Sequence, residues 1–214
     1  MEFIDKYRIK LWQKKGQRLL QRGKSEKAKV CFKKILDLSN NPENLFNYAL
    51  TEMNLFNYEK AIELFKEIRE KNKDYFLNNL ALAESYLIMK KWDDAEEIFY
   101  ELSQKYPDNP NLKNYLIISG DVVKREKYVK VKKMMEKAVK CLKDKEYSHA
   151  IDYLKEAEST QPDIPYIKNS IGEIYMLQKD YALAFEYFKK VIAMEPDNPK
   201  FQKNWSKILR YVKK

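Results

Sequence analysis

The feature that most constrains the fold is an alanine that recurs at a nearly fixed spacing. Ala28, Ala61 and Ala95 lie 33 and 34 residues apart, and Ala150 and Ala184 are again 34 apart. A large apolar residue follows each alanine by four positions: Phe32, Phe65, Phe99, Leu154 and Phe188. Residues at this spacing share one face of an α-helix. One helix pair cannot bury such a face alone, so the period predicts an all-α array of stacked helix pairs.

A second motif, with a small residue at its centre, lies upstream of each alanine. Its clearest copies are Leu82-Ala83-x-x-Tyr86 and Ile171-Gly172-x-x-Tyr175. Prolines that stop a helix follow downstream, at Pro107, Pro162 and Pro196. Together these motifs resemble the tetratricopeptide repeat, whose period is 34 residues. The resemblance covers about residues 9–109 and 131–198 as five copies, and it implies a right-handed solenoid of antiparallel helix pairs.

Short polar motifs predict where individual helices begin and where they pack closely. Asn41-Pro42, Asn109-Pro110 and Asn198-Pro199 each place a capping residue before a proline that suits a helix start. The four glycines, Gly16, Gly23, Gly120 and Gly172, are interpreted as packing or turn residues. About a dozen helices are expected.

The period is interrupted in the middle of the chain. Ala95 and Ala150 lie 55 residues apart, and bulky Ile117 occupies the place where a small residue is expected. We therefore predict three repeats in residues 1–109, a lone linking helix or irregular segment in 110–130, and two repeats in 131–198. Residues 199–214 are expected to form a helix that caps the last apolar face.

The chain contains few of the groups that catalysis needs. It has one histidine, His149, and no glycine-rich run of the kind that holds phosphate. We interpret His149 as a helix-surface residue, and Cys31 and Cys141 as small core residues. These observations predict a protein that is not an enzyme and that has no catalytic residues, metal site or cofactor.

The same sequence predicts a cytoplasmic location. The first residues contain no apolar run of signal-peptide length, and no stretch approaches the ~20 apolar residues of a membrane span. The two cysteines lie 110 positions apart and form no pairing pattern. A fragment of a larger exported or anchored protein would show the same features, so this alternative stays open.

The resemblance implies a protein or peptide partner in a concave groove, which the first helix of each pair lines. The residues expected there are Phe46, Asn47, Leu50, Leu77, Leu80, Glu84 and Ile88, with Glu43 at the border. Some family members grip a C-terminal carboxylate at five places, of which only Asn47 matches; the others hold Gln13, Gln17, Leu77 and Ala81. An apolar strip with acidic borders suits an amphipathic helix with basic flanks. The alternative is that these residues pack between adjacent helices.

A basic surface supports a second function. The net charge is +10, and residues 121–145 alone carry 10 basic and 4 acidic residues. The residues expected on this surface are Lys124, Arg125, Lys132, Lys137 and Lys140. They predict contact with an acidic protein, nucleic acid or an anionic membrane surface, or else a solvated face of an amphipathic helix. Arginine is scarce, so nucleic acid is the second choice of partner. Whether copies of the chain associate stays open.

Overall fold

The computed structural model describes residues 3–212, which form twelve α-helices in sequence order. The helices are α1 (Phe3–Gln21), α2 (Ser25–Leu36), α3 (Pro42–Asn54), α4 (Tyr58–Lys71), α5 (Phe76–Ile88), α6 (Trp92–Lys105), α7 (Pro110–Gly120), α8 (Val122–Lys143), α9 (Tyr147–Thr160), α10 (Pro165–Gln178), α11 (Tyr181–Met194) and α12 (Pro199–Val212). α1 contacts α2, α3 contacts α4, α5 contacts α6 and α10 contacts α11, while α2 contacts α3 and α4 contacts α5. The all-α prediction of stacked antiparallel helix pairs is therefore confirmed.

The predicted helix starts are confirmed by their capping geometry. The Oδ1 atom of Asn41 accepts a hydrogen bond from the backbone N–H of Asn44 at 2.8 Å, and Pro42 opens α3. Asn109 caps α7 in the same way, and Asn198 accepts from the N–H of Lys200 at the start of α12. Each cap satisfies a donor that the helix itself leaves unpaired, while the proline lacks such a donor.

The turn inside each helix pair has one repeated geometry. Among residues 3–212, five have a left-handed backbone, with φ between 60° and 68°. Each lies five positions before a repeated alanine: Gly23, Phe56, Lys90, Lys145 and Lys179. After α10, the N–H of Lys179 donates to the carbonyl of Met176 and the N–H of Asp180 donates to that of Tyr175. The other four turns have the same two bonds. This is a Schellman ending of the first helix, and it marks five complete repeats.

The repeated apolar stripe forms the core. Ala61, Phe65 and Ile68 are fully buried in α4, and Ala95, Phe99 and Leu102 are buried at the same places in α6. The large ring packs against the small residue of the preceding helix. In the first repeat, a Cβ added at Gly16 in α1 would lie 2.7 Å from Cζ of Phe32 in α2. The period therefore follows from interlocking small and large residues across each helix pair.

The interruption of the period has a local cause. α7 ends at Gly120 and is followed by Asp121 in extended backbone, without the left-handed turn of the five repeats. The side chain of Asp121 then accepts from the N–H of Lys124 at 2.9 Å, so a new helix begins at once. α8 thus starts at Val122, within the segment expected to link the sub-arrays, and runs for 22 residues. Ile117, which is bulky at the place of the small residue, is 53% exposed.

The chain divides into two compact units, Met1–Arg125 and Glu126–Lys214, and the division falls inside α8. In the second unit, α12 packs against α10 and α11 and buries Phe201 and Ile208. Within residues 3–212, no helix has the length and apolarity to cross a membrane.

One buried charge in the first unit was not expected from the sequence. Glu52 is 2% exposed, and its carboxylate lies 2.8 Å from Nζ of Lys29 and 2.8 Å from Nδ2 of Asn57. Burial alone would raise the pKa of Glu52, but hydrogen bonds from Lys29, Asn57 and Tyr48 outweigh it and lower the pKa below its ordinary value. Burial and the hydrogen bond to Glu52 raise the pKa of Tyr48 to about 12. The network joins the first two repeats.

Candidate binding groove

The candidate groove lies on α3 and α5, the first helices of the second and third repeats, which contact each other. The small alanine is Ala49 in α3 and Ala83 in α5. The candidate face consists of the residues six and three positions before this alanine and the residue one position after it. In α3 these are Glu43, Phe46 and Leu50, and in α5 they are Leu77, Leu80 and Glu84. Because the spacing is i, i+3 and i+7, each set shares one helix face.

Exposure of the apolar members varies along this face. Leu77 is 52% exposed, in a helix whose other large apolar residues are buried or half-buried. Leu50 and Leu80 are half-buried. Ile88 is 5% exposed, because it lies in the buried core of α5, so we leave it out of the proposed binding surface.

Phe46 has a packing role as well as a position on this face. Its ring centroid lies 6.0 Å from that of Phe65 in α4 and 5.1 Å from that of Tyr75, just before α5. The ring is half-buried, so only part of it is open to a partner. The alternative that these residues pack between helices therefore holds in part for Phe46, while Leu77 is the most open apolar side chain of the set.

Acidic residues border the apolar strip at both ends. Glu43 lies at the start of α3, beside an open cleft of about 430 Å³ that is lined by Asn41, Pro42, Glu43, Asn72 and Tyr75. Burial and the nearby Glu43 carboxylate raise the pKa of the Tyr75 hydroxyl. Glu84 is half-buried near the end of α5. The strip thus has a carboxylate at each end.

Asn47 uses its amide on its own helix. Its Nδ2 atom donates to the backbone carbonyl of Glu43 at 3.0 Å. Family members that grip a C-terminal carboxylate have Lys, Asn or Arg at five places. Two of these places are occupied here by Leu77, which is exposed, and by Ala81, which is 8% exposed. This face therefore has apolar side chains where a grip on a chain end would need charged or amide groups.

The two predicted basic residues of the first unit, Lys124 and Arg125, have partners within the protein. The guanidinium of Arg125 lies 4.8 Å from the ring centroid of Trp92, and its Nη1 atom donates to the carbonyl of Ser119 at 3.5 Å. Arg125 is half-buried, so it packs on α6 rather than standing on an open surface. Lys124 is more open, and its Nζ atom lies 3.9 Å from the carboxylate of Asp121.

The basic residues of the second unit are distributed around α8. Lys132 lies over the ring of Tyr128 at 5.1 Å, and Lys137 lies over that of Tyr153 at 5.2 Å. Lys140 forms an ion pair with Glu136 at 2.6 Å and is 63% exposed. Lys137 and Lys140 are exposed and Lys132 is half-buried, so only part of this predicted surface is available to an acidic partner.

The equivalent face of the second unit is polar, which the sequence analysis missed. In α10 and α12, Nδ2 of Asn204 lies 2.8 Å from Oδ1 of Asn169 and 2.8 Å from Oε1 of Glu173. Lys200 lies 3.7 Å from the same Glu173 carboxylate. Counting from Gly172, and from Ser206 as its equivalent in α12, would have found Asn169, Glu173 and Lys200, but not Asn204. Because polar groups here bind one another, an apolar helix would fit this face less well than the α3 and α5 face.

The reactive residues occupy structural positions. His149 is exposed on α9, with Nδ1 3.5 Å from the Glu146 carboxylate. Cys31 is buried, and burial raises the pKa of its thiol; Cys141 is half-buried, and burial followed by the charge of Glu146 raises the pKa of its thiol. Raised thiol pKa values disfavour a nucleophilic thiolate. Among residues 3–212, no group of three or more His, Cys, Asp or Glu side chains is placed to hold a metal ion.

Several solved helical-repeat structures are similar in fold. They include MamA from Desulfovibrio magneticus, with 19% identity, a TM-score of 0.49 and coverage of 90% of this chain and 97% of that one. A tetratricopeptide protein of Thermus thermophilus, TTC0263, has 18% identity, a TM-score of 0.47 and coverage of 96% and 98%. The TPR2AB domain of yeast Sti1, solved as a complex with pHSP90, has 13% identity, a TM-score of 0.48 and coverage of 96% and 84%.

Family models agree with the repeats found in the chain. One tetratricopeptide repeat model matches residues 52–116, and a second matches residues 9–42 and 166–198. Together they cover more than half of the chain and include the first copy, at residues 9–42. No significant match to a curated protein sequence is found. With five Schellman turns at a constant offset from the repeated alanine, the chain belongs to the tetratricopeptide repeat family.

Proposed function

We propose that this protein is a non-enzymatic interaction scaffold that binds an amphipathic helix with basic flanks on the α3 and α5 face. The single observation that carries the proposal is the 52% exposure of Leu77 beside half-buried Leu50, Leu80 and Phe46. Apolar residues on a face that a solenoid turns to solvent mark a binding surface. Helix-in-groove recognition uses anchors at i, i+3, i+4 and i+7, and the acids at both ends favour basic flanks.

A peptide titration tests this proposal. The probe is a fluorescent 18-residue peptide with leucines at i, i+3, i+4 and i+7 and lysines at both ends, followed by anisotropy. Leu77→Lys places a charge in the strip and is expected to weaken binding at least tenfold, because truncating or charging a central anchor commonly costs about 2 kcal/mol or more.

The matched control is Leu177→Lys, which changes another exposed leucine, 61% exposed, in the second unit. This variant is expected to bind the peptide like the wild type. Circular dichroism confirms that both variants fold. Equal binding by Leu77→Lys and the wild type would contradict the proposed groove.

The second candidate is nucleic acid or another acidic surface, and the exposed Lys137 and Lys140 on α8 support it. Salt dependence separates the two candidates. Binding to duplex DNA loses affinity with a log–log slope of roughly −0.9 per phosphate contact, whereas apolar docking changes little with salt. Reversing the charge of Lys132, Lys137 and Lys140 should then change mainly the association rate of a groove-bound peptide. Loss of all binding in that variant, with Leu77→Lys unaffected, favours the basic surface.

We also propose a cytoplasmic location, which the two free cysteines support, since thiols persist in a reducing compartment. Retention of both thiols in protein isolated from its source under alkylating conditions tests it.

A further inference from the structure

An uncovered apolar stripe runs along α1, outside the groove described above. Ile4 is 61% exposed, Tyr7 is 65% exposed and Leu11 is 54% exposed. Their spacing of i, i+3 and i+7 places them on one face of the helix. The opposite side of α1 is occupied, because Ile9, Trp12 and Leu19 pack against the core of the first repeat. The stripe is therefore a second apolar surface and is not part of the fold's own core.

The position of this stripe in the repeat explains why it is exposed. Leu11 lies five residues before the small residue Gly16. The residues five positions before Ala49, Ala83 and Gly172 are Asn44, Asn78 and Ile167, which are 4%, 0% and 0% exposed. In those repeats the preceding helix covers this place: α2 contacts α3, α4 contacts α5 and α9 contacts α10. α1 thus presents the apolar Leu11 to solvent at a place that α3, α5 and α10 bury.

Charge indicates what covers this face. Lys14 and Arg18 continue the stripe toward the end of α1, and Lys10 borders it. Residues 1–36 contain 12 basic and 3 acidic residues, so two α1 helices would repel each other if they packed together. An apolar surface with acidic borders is favoured as the partner.

The same chain contains such a surface. The α3 and α5 face has exposed Leu77 between Glu43 and Glu84, and residues 37–120 contain 9 basic and 15 acidic residues. The partner proposed for that face is an amphipathic helix with basic flanks. α1 is amphipathic, its apolar stripe is uncovered, and Lys14 and Arg18 follow the stripe, while Asp5 lies beside its first residue. Both the apolar pattern and the sign of the charge match.

We propose that the α1 stripe of one copy docks on the α3 and α5 face of a second copy of this chain. The inference rests on the proposed function of that face and names its occupant. The two surfaces are different, so the contact is heterologous: each copy donates α1 to one neighbour and accepts α1 from another. Repetition of this contact produces rings or open chains of copies rather than closed two-fold dimers.

Sedimentation velocity over a range of concentrations tests the proposal with two variants. Tyr7→Glu with Leu11→Glu is the α1 variant, and Leu77→Glu is the groove variant; all three residues are exposed, so both variants are expected to fold. The wild type should form larger species as its concentration rises, and each variant alone should stay monomeric. A mixture should form 1:1 dimers and stop there, because one intact α1 meets one intact groove. Leu177→Glu serves as the control and should associate like the wild type.

Other outcomes overturn the proposal. A groove variant that still dimerises would show α1 packing on α1. The wild type could instead stay monomeric and sediment with phosphatidylserine vesicles. If the α1 variant did not sediment with them, α1 would be shown to bind an anionic membrane surface. The Lys-flanked leucine peptide distinguishes a failure of self-association from a failure of the proposed groove. If the α1 variant binds that peptide through Leu77 while the wild type stays monomeric at all concentrations, the groove stands and only self-association is wrong.

Discussion

The ring of Phe188 in α11 lies against the backbone of Gly172 in α10, and a Cβ added at Gly172 would lie 2.7 Å from Cε1 of that ring. Phe188 is 3% exposed, so its ring has little room to move. The same relation joins Gly16 and Phe32 in the first repeat. This contact is the physical basis of the sequence period. The large ring lies four positions after the repeated alanine, and the residue that it packs against in the preceding helix must be small.

Gly172→Ala should therefore destabilise the protein, although alanine normally stabilises a helix interior by about 1 kcal/mol relative to glycine. We expect a net loss of about 1–3 kcal/mol, and at least as much for Gly172→Leu, because the added atoms overpack the ring. Urea unfolding followed by circular dichroism measures this. Phe188→Leu in the Gly172→Ala background should recover part of the loss. Gly120→Ala is the control, since its nearest atom would lie at 3.7 Å. An unchanged midpoint for Gly172→Ala would show that the ring is free to shift.

Lys179 has a left-handed backbone, with φ of 63°, at the end of α10. A side chain in this region is strained and glycine is not, so Lys179→Gly should raise the free energy of unfolding by about 0.5–1 kcal/mol. Lys179→Ala keeps the Cβ and should give no gain, which separates backbone strain from loss of the charge. Gly23→Ala tests the reverse change in the first repeat, where no atom lies within 4 Å of the added Cβ, and it should destabilise. Stabilisation by Lys179→Ala as large as by glycine would contradict the strain argument.

Much of the fold could be predicted from the sequence, because its signals are local. Ala61 and Phe65, or Asn41 and Pro42, are neighbours within one helix, and their meaning depends only on spacing and capping. The left-handed turns were harder to find, since only Gly23 among the five has the residue type that favours this geometry. The early start of α8 depends on the capping side chain of Asp121, and the burial of Ile88 and Phe46 depends on neighbouring helices that the pattern of one helix does not describe. The binding face itself stays a prediction.

The buried carboxylate of Glu52 should make the first unit sensitive to acid. Its pKa is lowered in the folded protein, so its contribution to stability is present above its ordinary pKa of 4.5 and is lost as pH falls through the folded value. Glu52→Gln should cost about 1–2 kcal/mol at pH 7, since hydrogen bonds to a charged group are the stronger ones. The difference from the wild type should shrink as the pH is lowered below 4.5. Urea titrations at several pH values measure it, and a difference that is independent of pH would mean that the charge of Glu52 is not what stabilises the contact.

Phe46 and Leu77 should respond differently to truncation, although they share the candidate face. Phe46 packs on Phe65 and Tyr75, so Phe46→Ala should lower the free energy of unfolding by about 1–3 kcal/mol. Leu77 is 52% exposed, so Leu77→Ala should change stability by no more than about 0.5 kcal/mol. Weaker peptide binding by Phe46→Ala would then have two causes, the lost contact with the peptide and the weaker packing of α3. Weaker binding by Leu77→Ala would have only the first cause. Thermal unfolding and peptide titration of both variants separate the two effects. If Leu77→Ala destabilises the fold as much as Phe46→Ala, Leu77 belongs to the packing between helices and the apolar strip on α3 and α5 is not an open surface.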